Sequence, residues 1–129
     1  MQNTNFNKQE AIQFKQSIAP LETITLREPI KADGTIEEIT VRFYTGQEGD
    51  LRARPYILKR TGALVDLVTY VGELNYLSGE NDTLVFDVSM AVQKDDKVCV
   101  EFQNVDANFP YTGFLTAKVD YYGGTKRVV

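Results

Sequence analysis

The chain of 129 residues contains no histidine and no tryptophan, and it has one cysteine. Without histidine there is no imidazole to act as general base, to activate a serine or cysteine nucleophile, or to ligate zinc. A Ser-His-Asp or Cys-His mechanism is therefore excluded. One cysteine cannot form an internal disulfide or a thiolate metal cage. Cys99 lies in the strand-like run Asp96-Lys97-Val98-Cys99-Val100-Glu101, where a free thiol packed as a small residue is expected. A lone thiol without a signal segment favours a reducing compartment. No apolar run approaches the ~18 residues of a membrane span, and no basic-then-apolar start resembles a secretory leader, so neither membrane insertion nor export is expected. The formal net charge of -4 leaves no basic footprint for nucleic acid.

What is present describes one globular domain. Composition is 43% hydrophobic and 25% charged, and a chain of this length buries about two-thirds of its unfolded surface without help from metals or disulfides. Thirty-two Val, Ile and Thr residues stand against 18 Leu and Ala. Side chains stiff at χ1 suit strands, and seven Phe with seven Tyr push the same way.

Residues 1–20 differ from the rest. Ala11, Phe14 and Ile18 recur at helical spacing, Asn7 with Glu10 makes a capping-box pair, and Pro20 would stop a helix. A short helix near residues 8–18, or an extended arm, is expected, docked on its own domain or on a neighbouring subunit. After Leu21 the pattern becomes short apolar runs broken by turns. Ile39, Val41 and Phe43 alternate with Thr40, Arg42 and Tyr44; beyond Gly46–Asp50, Leu51, Ala53, Pro55 and Ile57 alternate with Arg52, Arg54 and Tyr56. A hairpin pairing Phe43 with Ala53, Val41 with Pro55 and Ile39 with Ile57 matches apolar to apolar throughout. Pro55 then needs an edge, or an N–H position facing away from the ladder. A second hairpin joins residues 84–92 to 98–102, with Met90 opposite Val100 and Val88 opposite Phe102. Leu64 to Val71 reads as a doubly buried strand or an irregular segment, Leu74–Leu77 as a short strand, and Phe114–Tyr121 as the last strand. The expected fold is an all-β antiparallel sandwich of seven or eight strands, jelly-roll-like or Ig-like, over residues 21–122, followed by a tail at 123–129.

Three constellations could carry function. The outer face of the first hairpin gathers Arg42, Arg52 and Arg54 beside Tyr44 and Tyr56. Arg binds carboxylates bidentately and Tyr supplies rigid contact area, so this face is the candidate interaction surface. The hairpin sets Arg42 against Arg54, a like-charge pair that needs compensation. Glu80, Asn81 and Asp82, with Asp95 and Asp96, could offer oxygen ligands to calcium, but no EF-hand spacing is present and solvated turns explain them better. Tyr111, Tyr121 and Tyr122 could stack on sugars. No catalytic group, cofactor or metal ligand is assigned.

The stretches Ile39-Thr40-Val41-Arg42-Phe43-Tyr44-Thr45, Leu51-Arg52-Ala53-Arg54-Pro55-Tyr56 and Gly79-Glu80-Asn81-Asp82 resemble small virion proteins of tailed bacteriophages of Gram-positive hosts. Their fold is similar to the shoulder domain of lactococcal-phage receptor-binding proteins. The resemblance spans roughly residues 21–122. It implies a non-enzymatic structural or adaptor protein of the tail or baseplate region, made in the host cytoplasm and located in the virion. Its partners would be other virion subunits, usually in a homo-oligomer. Shoulder domains attach to the baseplate through their N-terminal part, to which residues 1–20 would correspond, and no receptor-binding head follows in this chain. A carbohydrate-binding β-sandwich module is the alternative function.

Overall fold

The computed structural model describes residues 8–122. Eight strands follow one another: β1 (Lys8–Ile18), β2 (Thr23–Pro29), β3 (Gly34–Phe43), β4 (Leu51–Leu58), β5 (Leu64–Asp66), β6 (Asp82–Val92), β7 (Lys97–Asn104) and β8 (Tyr111–Tyr121). They form two four-stranded antiparallel sheets, ordered β1-β8-β3-β6 and β2-β7-β4-β5. Except for β4 and β5, consecutive strands lie in opposite sheets. Eight strands wound this way make a jelly roll, which decides between the two orders expected.

The alternation read along the chain does specify which side chains point inward. Ile39, Val41, Phe43, Leu51, Ala53, Ile57, Val98, Val100 and Phe102 are all fully buried. Burying a ring such as Phe43 or Phe102 contributes about 2–3 kcal/mol. The sheets approach closely where β8 carries Gly113, since a Cβ there would come within 2.8 Å of the Phe102 ring.

The pairing partners are different from those expected. Phe43 and Ala53 face the common core from opposite sheets. β3 instead pairs with β6 and β8, placing Val41 beside Leu84 and Leu115 and Ile39 beside Phe86 and Ala117. β4 pairs with β7, which sets Ala53 beside Phe102, Pro55 beside Val100 and Ile57 beside Val98. The second hairpin fails likewise, because Met90 pairs with Ile36, whereas Val100 pairs with Leu26 and Pro55. Apolar matching holds in both arrangements, so it could not distinguish them. Gly46 and Gly49, with φ of 94° and 78°, and Glu48, with φ of 49°, turn the chain from one sheet into the other. Pro55 fits as anticipated. Ala53 exchanges both backbone hydrogen bonds with Leu77, on the side away from β7. Two residues on, Pro55 has the same orientation and owes β7 no donor.

Residues 8–18 are a strand and not a helix. Ile12, Phe14 and Ile18 turn inward, while Ala11, Gln13 and Lys15 are exposed. An isolated helix of that length gains little in water, whereas β8 offers a ladder for all eleven residues from Lys8 to Ile18. Glu10 is not a capping residue; it accepts hydrogen bonds from Lys31 Nζ (2.7 Å) and Tyr121 Oη (3.1 Å). Asn7 and the tail at 123–129 lie outside the described residues. In the middle of the chain only Leu64–Asp66 is regular strand, and Leu74–Leu77 reduces to a bridge between Leu77 and Ala53.

Three buried polar residues sit at the corners. Asp96 accepts hydrogen bonds from the backbone N–H of Gln93 (2.8 Å) and Arg60 (3.0 Å) and from Lys59 Nζ (3.2 Å). Asn104 Nδ2 donates to the carbonyls of Ile18 (3.2 Å) and Phe109 (2.8 Å), and its Oδ1 accepts from the Asp106 N–H. Gln47 Nε2 donates to the Thr112 carbonyl at 3.0 Å. Each supplies partners where the chain leaves the ladders, at points where unpaired backbone would otherwise be buried.

Burial pushes the Asp96 carboxyl up, but the N–H groups of Gln93 and Arg60 and the Lys59 ammonium outweigh it and hold the group below the ordinary 3.8. A depressed folded-state value stabilises the fold fully above the ordinary value, and that stabilisation is lost as pH falls through the folded value. Asp96→Asn is expected to lose about 3 kcal/mol in urea unfolding near pH ~7. The gap to wild type should narrow at pH values below 3.8. A gap that stayed constant into acid would rule out an ionised Asp96 as the corner tie.

Candidate functional site

The outer face of the second sheet is a grid fixed by register. Across β7 and β4, Gln103 lies opposite Arg52, Glu101 opposite Arg54 and Cys99 opposite Tyr56; across β2 and β7, Thr25 lies opposite Glu101 and Arg27 opposite Cys99. On the other side of β4, Tyr56 pairs with Asp66. The segment after β5 then covers part of this face. Leu67 donates to the Pro55 carbonyl and Leu77 bridges Ala53, and the intervening residues 68–76 carry Asn75 and Tyr76 to the arginines.

The result is a small polar cleft of about 130 Å³ lined by Arg52, Arg54, Asn75, Tyr76, Glu101 and Gln103. The Arg52 guanidinium lies over the Tyr76 ring, 4.4 Å from its centroid. Arg54 donates from Nε to Asp66 at 3.0 Å, and it also stands 5.7 Å from the centroid of the Tyr56 ring. Tyr70 brings a buried hydroxyl whose pKa burial and then the Asp66 charge push up to about 12. Arg54 is thus committed within the chain, whereas Arg52 is held by a ring face with its hydrogen-bond donors directed to no carboxylate among the described residues.

The sequence-derived surface is therefore divided. Arg52, Arg54 and Tyr56 share the second sheet, and Tyr56 is largely buried there beside Cys99. Arg42 lies on β3 of the other sheet and Tyr44 directly follows that strand; Arg42 donates to Asn81 Oδ1 (2.7 Å) and Thr83 Oγ1 (3.3 Å) and lies 5.4 Å from the Tyr44 ring centroid. The clash of Arg42 with Arg54 does not arise, since they pair with different strands. Asn75, Tyr76, Glu101, Gln103 and Asp66 were not foreseen. Glu101 and Gln103 show the outward parity of β7 in the sequence, but nothing in the sequence sets that strand beside β4.

The other constellations have structural uses. Glu80 accepts hydrogen bonds from the N–H of Gly46 (2.9 Å) and Glu48 (2.8 Å), which lower its pKa, and Asp82 accepts from the Glu80 N–H. Asp96 is buried at a corner, not solvated. Among the described residues no group of three or more acidic or cysteine side chains is placed to hold a metal ion. The three tyrosines form no platform: Tyr121 is a core residue, Tyr111 donates to Asp106 from the other end of β8, and Tyr122 bonds Thr35.

Cys99 is buried as expected, and burial raises its thiol pKa against a smaller opposing effect of Arg27. Thiol-disulfide reagents should therefore leave the native protein unlabelled at pH ~8 and react in step with urea unfolding. Rapid stoichiometric labelling of the folded protein would contradict this packing.

No family model matches the chain, and no curated protein matches it. Among solved structures it is similar to infectious bursal disease virus of the Gx strain, at 16% identity over 95% of this chain and 35% of that one, with a TM-score of 0.48. A VP2 subviral particle of the same virus gives 16% identity over 94% and 35%, with 0.47. The serine protease of Aeromonas sobria gives 11% over 87% and 27%, with 0.44. The chain spans about a third of the length of these proteins. At such scores the likenesses carry no argument, and the fold rests on the strand topology above.

Proposed function

We propose that this chain is a non-enzymatic structural or adaptor protein of a bacteriophage particle, in the tail or baseplate region, working by protein–protein docking. The observation that carries the reading is the second sheet's outer face, where Arg52 is pre-positioned on the Tyr76 ring above a shallow, charge-bearing cleft. An arginine stiffened by an aromatic ring loses little entropy on meeting a carboxylate, and such pairs are enriched at interface hot spots. The jelly roll is an architecture used by capsid, lectin and cupin domains. Histidine-ligated metal chemistry is closed to a chain with no histidine. Sugar stacking at the cleft is disfavoured because Arg52 already covers a face of Tyr76. The exposed rings Phe109 and Tyr122 stand beyond opposite ends of β8, too far apart for one sugar. The likeness of residues 39–45, 51–56 and 79–82 to phage virion proteins supplies the setting.

Arg52→Ala should fold normally, with a melting temperature within a few degrees of wild type. It should be incorporated into purified particles of the encoding phage at least ~10-fold less than wild type, since losing a charged hot spot costs about 1.4 kcal/mol or more. Quantitative mass spectrometry of the particles reads this directly. Equal incorporation, or absence of the wild-type chain from particles, would refute the reading; micromolar binding on a glycan array would favour the sugar-binding alternative.

A further inference from the structure

The opposite side of the sandwich carries the complementary charge. On the outer face of the first sheet, β3 and β6 slip register between Ile36 and Glu38, opposite a Ser89 with φ of 51°. The bulge opens a shallow hollow of about 530 Å³ whose walls include Glu37, Glu38, Asp87 and Asp120, with Lys118 as its cation. Glu38 lies directly opposite Asp87 on one side and Lys118 on the other. Two carboxylates facing each other across a ladder cost stability, and a cation from outside would relieve it. In the cleft of the second sheet, Arg52 is the cation that no carboxylate holds among the described residues, with Glu101 in the same lining. With Arg54 held by Asp66, Arg52 of one face therefore answers carboxylates of the other, and Glu101 answers Lys118.

We infer that copies of this chain associate head to tail, the Arg52 cleft of one copy seated on the Glu38–Asp87 hollow of the next. The occupant is a second copy because both halves of the charge match are on this chain, and the inference rests on the docking reading above. The two surfaces are outer faces of stacked sheets and point in opposite directions. Such a contact is heterologous: it cannot close on two copies as a two-fold dimer would, and it repeats into a ring or a filament. With a net charge of -4 on each copy, the local match works against overall repulsion, so the assembly depends on the pairing of these particular groups.

The experiment is sedimentation velocity over a concentration series on the full chain, using wild type, Arg52→Glu, Asp87→Lys and an equimolar mixture of the two variants. Wild type should form species larger than a dimer as concentration rises. Each variant alone should need at least ~10-fold more protein to do so, equivalent to about 1.4 kcal/mol. The mixture should recover assembly, because Glu at position 52 of one chain meets Lys at position 87 of the other while the unaltered faces also match. Recovery demonstrates that both variants are folded. A wild type that stays monomeric, a variant that assembles like wild type, or a mixture that fails to recover would each overturn the inference. A monomeric wild type that still enters particles through Arg52 would overturn self-association and leave the docking function intact, with another virion protein as partner.

Discussion

The fold depends on giving hydrogen-bond partners to backbone that leaves one sheet for the other. A jelly roll makes this crossing repeatedly, and at each crossing a stretch of main chain passes the end of the core without a ladder partner. Asp96, Asn104 and Gln47 meet that demand from inside. Asp96 gathers the β4–β5 turn and the β6–β7 turn on one carboxylate, while the Asp96 backbone carbonyl accepts from Ile30 at 2.7 Å to add the β2–β3 connection. Asn104 does the same at the opposite end for the β1–β2 and β7–β8 connections. Burying these side chains costs desolvation, and the hydrogen bonds of Asp96 and Asn104 offset it.

With the crossings tied down, both outer faces are free to carry charge. The second sheet presents arginines braced by tyrosine rings, and the first presents carboxylates at a bulge. Bulges interrupt an edge ladder and aim side chains away from the strand direction. Here the bulge of β6 also spoils that edge for pairing with another strand. The docking proposal builds on that division: a core and corners occupied with stability, and two outer faces that carry charged groups.

The arginine–tyrosine motif was legible in the sequence only one strand at a time. Arg52 and Arg54 are outward neighbours, as their spacing implies, because side chains two apart on a strand share a face. The hairpin that would join them to Arg42 and Tyr44 does not form, because β3 and β4 belong to different sheets. Tyr76 could not have been found, since its place depends on a nine-residue excursion between the contacts of Leu67 and Leu77 with β4.

Alternation with a period of two, in a chain rich in β-branched and aromatic residues, is sufficient by itself to determine the all-β class and to name the inward residues of Ile39–Phe43, Leu51–Ile57 and Val98–Phe102. The reason is local: burial of alternate side chains needs no knowledge of the neighbour. Which strand lies beside which was decided only in three dimensions. An apolar residue on β3 is satisfied equally by β4 in a hairpin or by β6 and β8 in a jelly roll. The jelly-roll arrangement is accompanied by corner hydrogen bonds between residues as far apart as Ile18 and Asn104. The same holds for Lys8–Ile18, whose residues carry a weak helical pattern. That pattern yields to the ladder and apolar contacts that β8 provides from the other end of the chain.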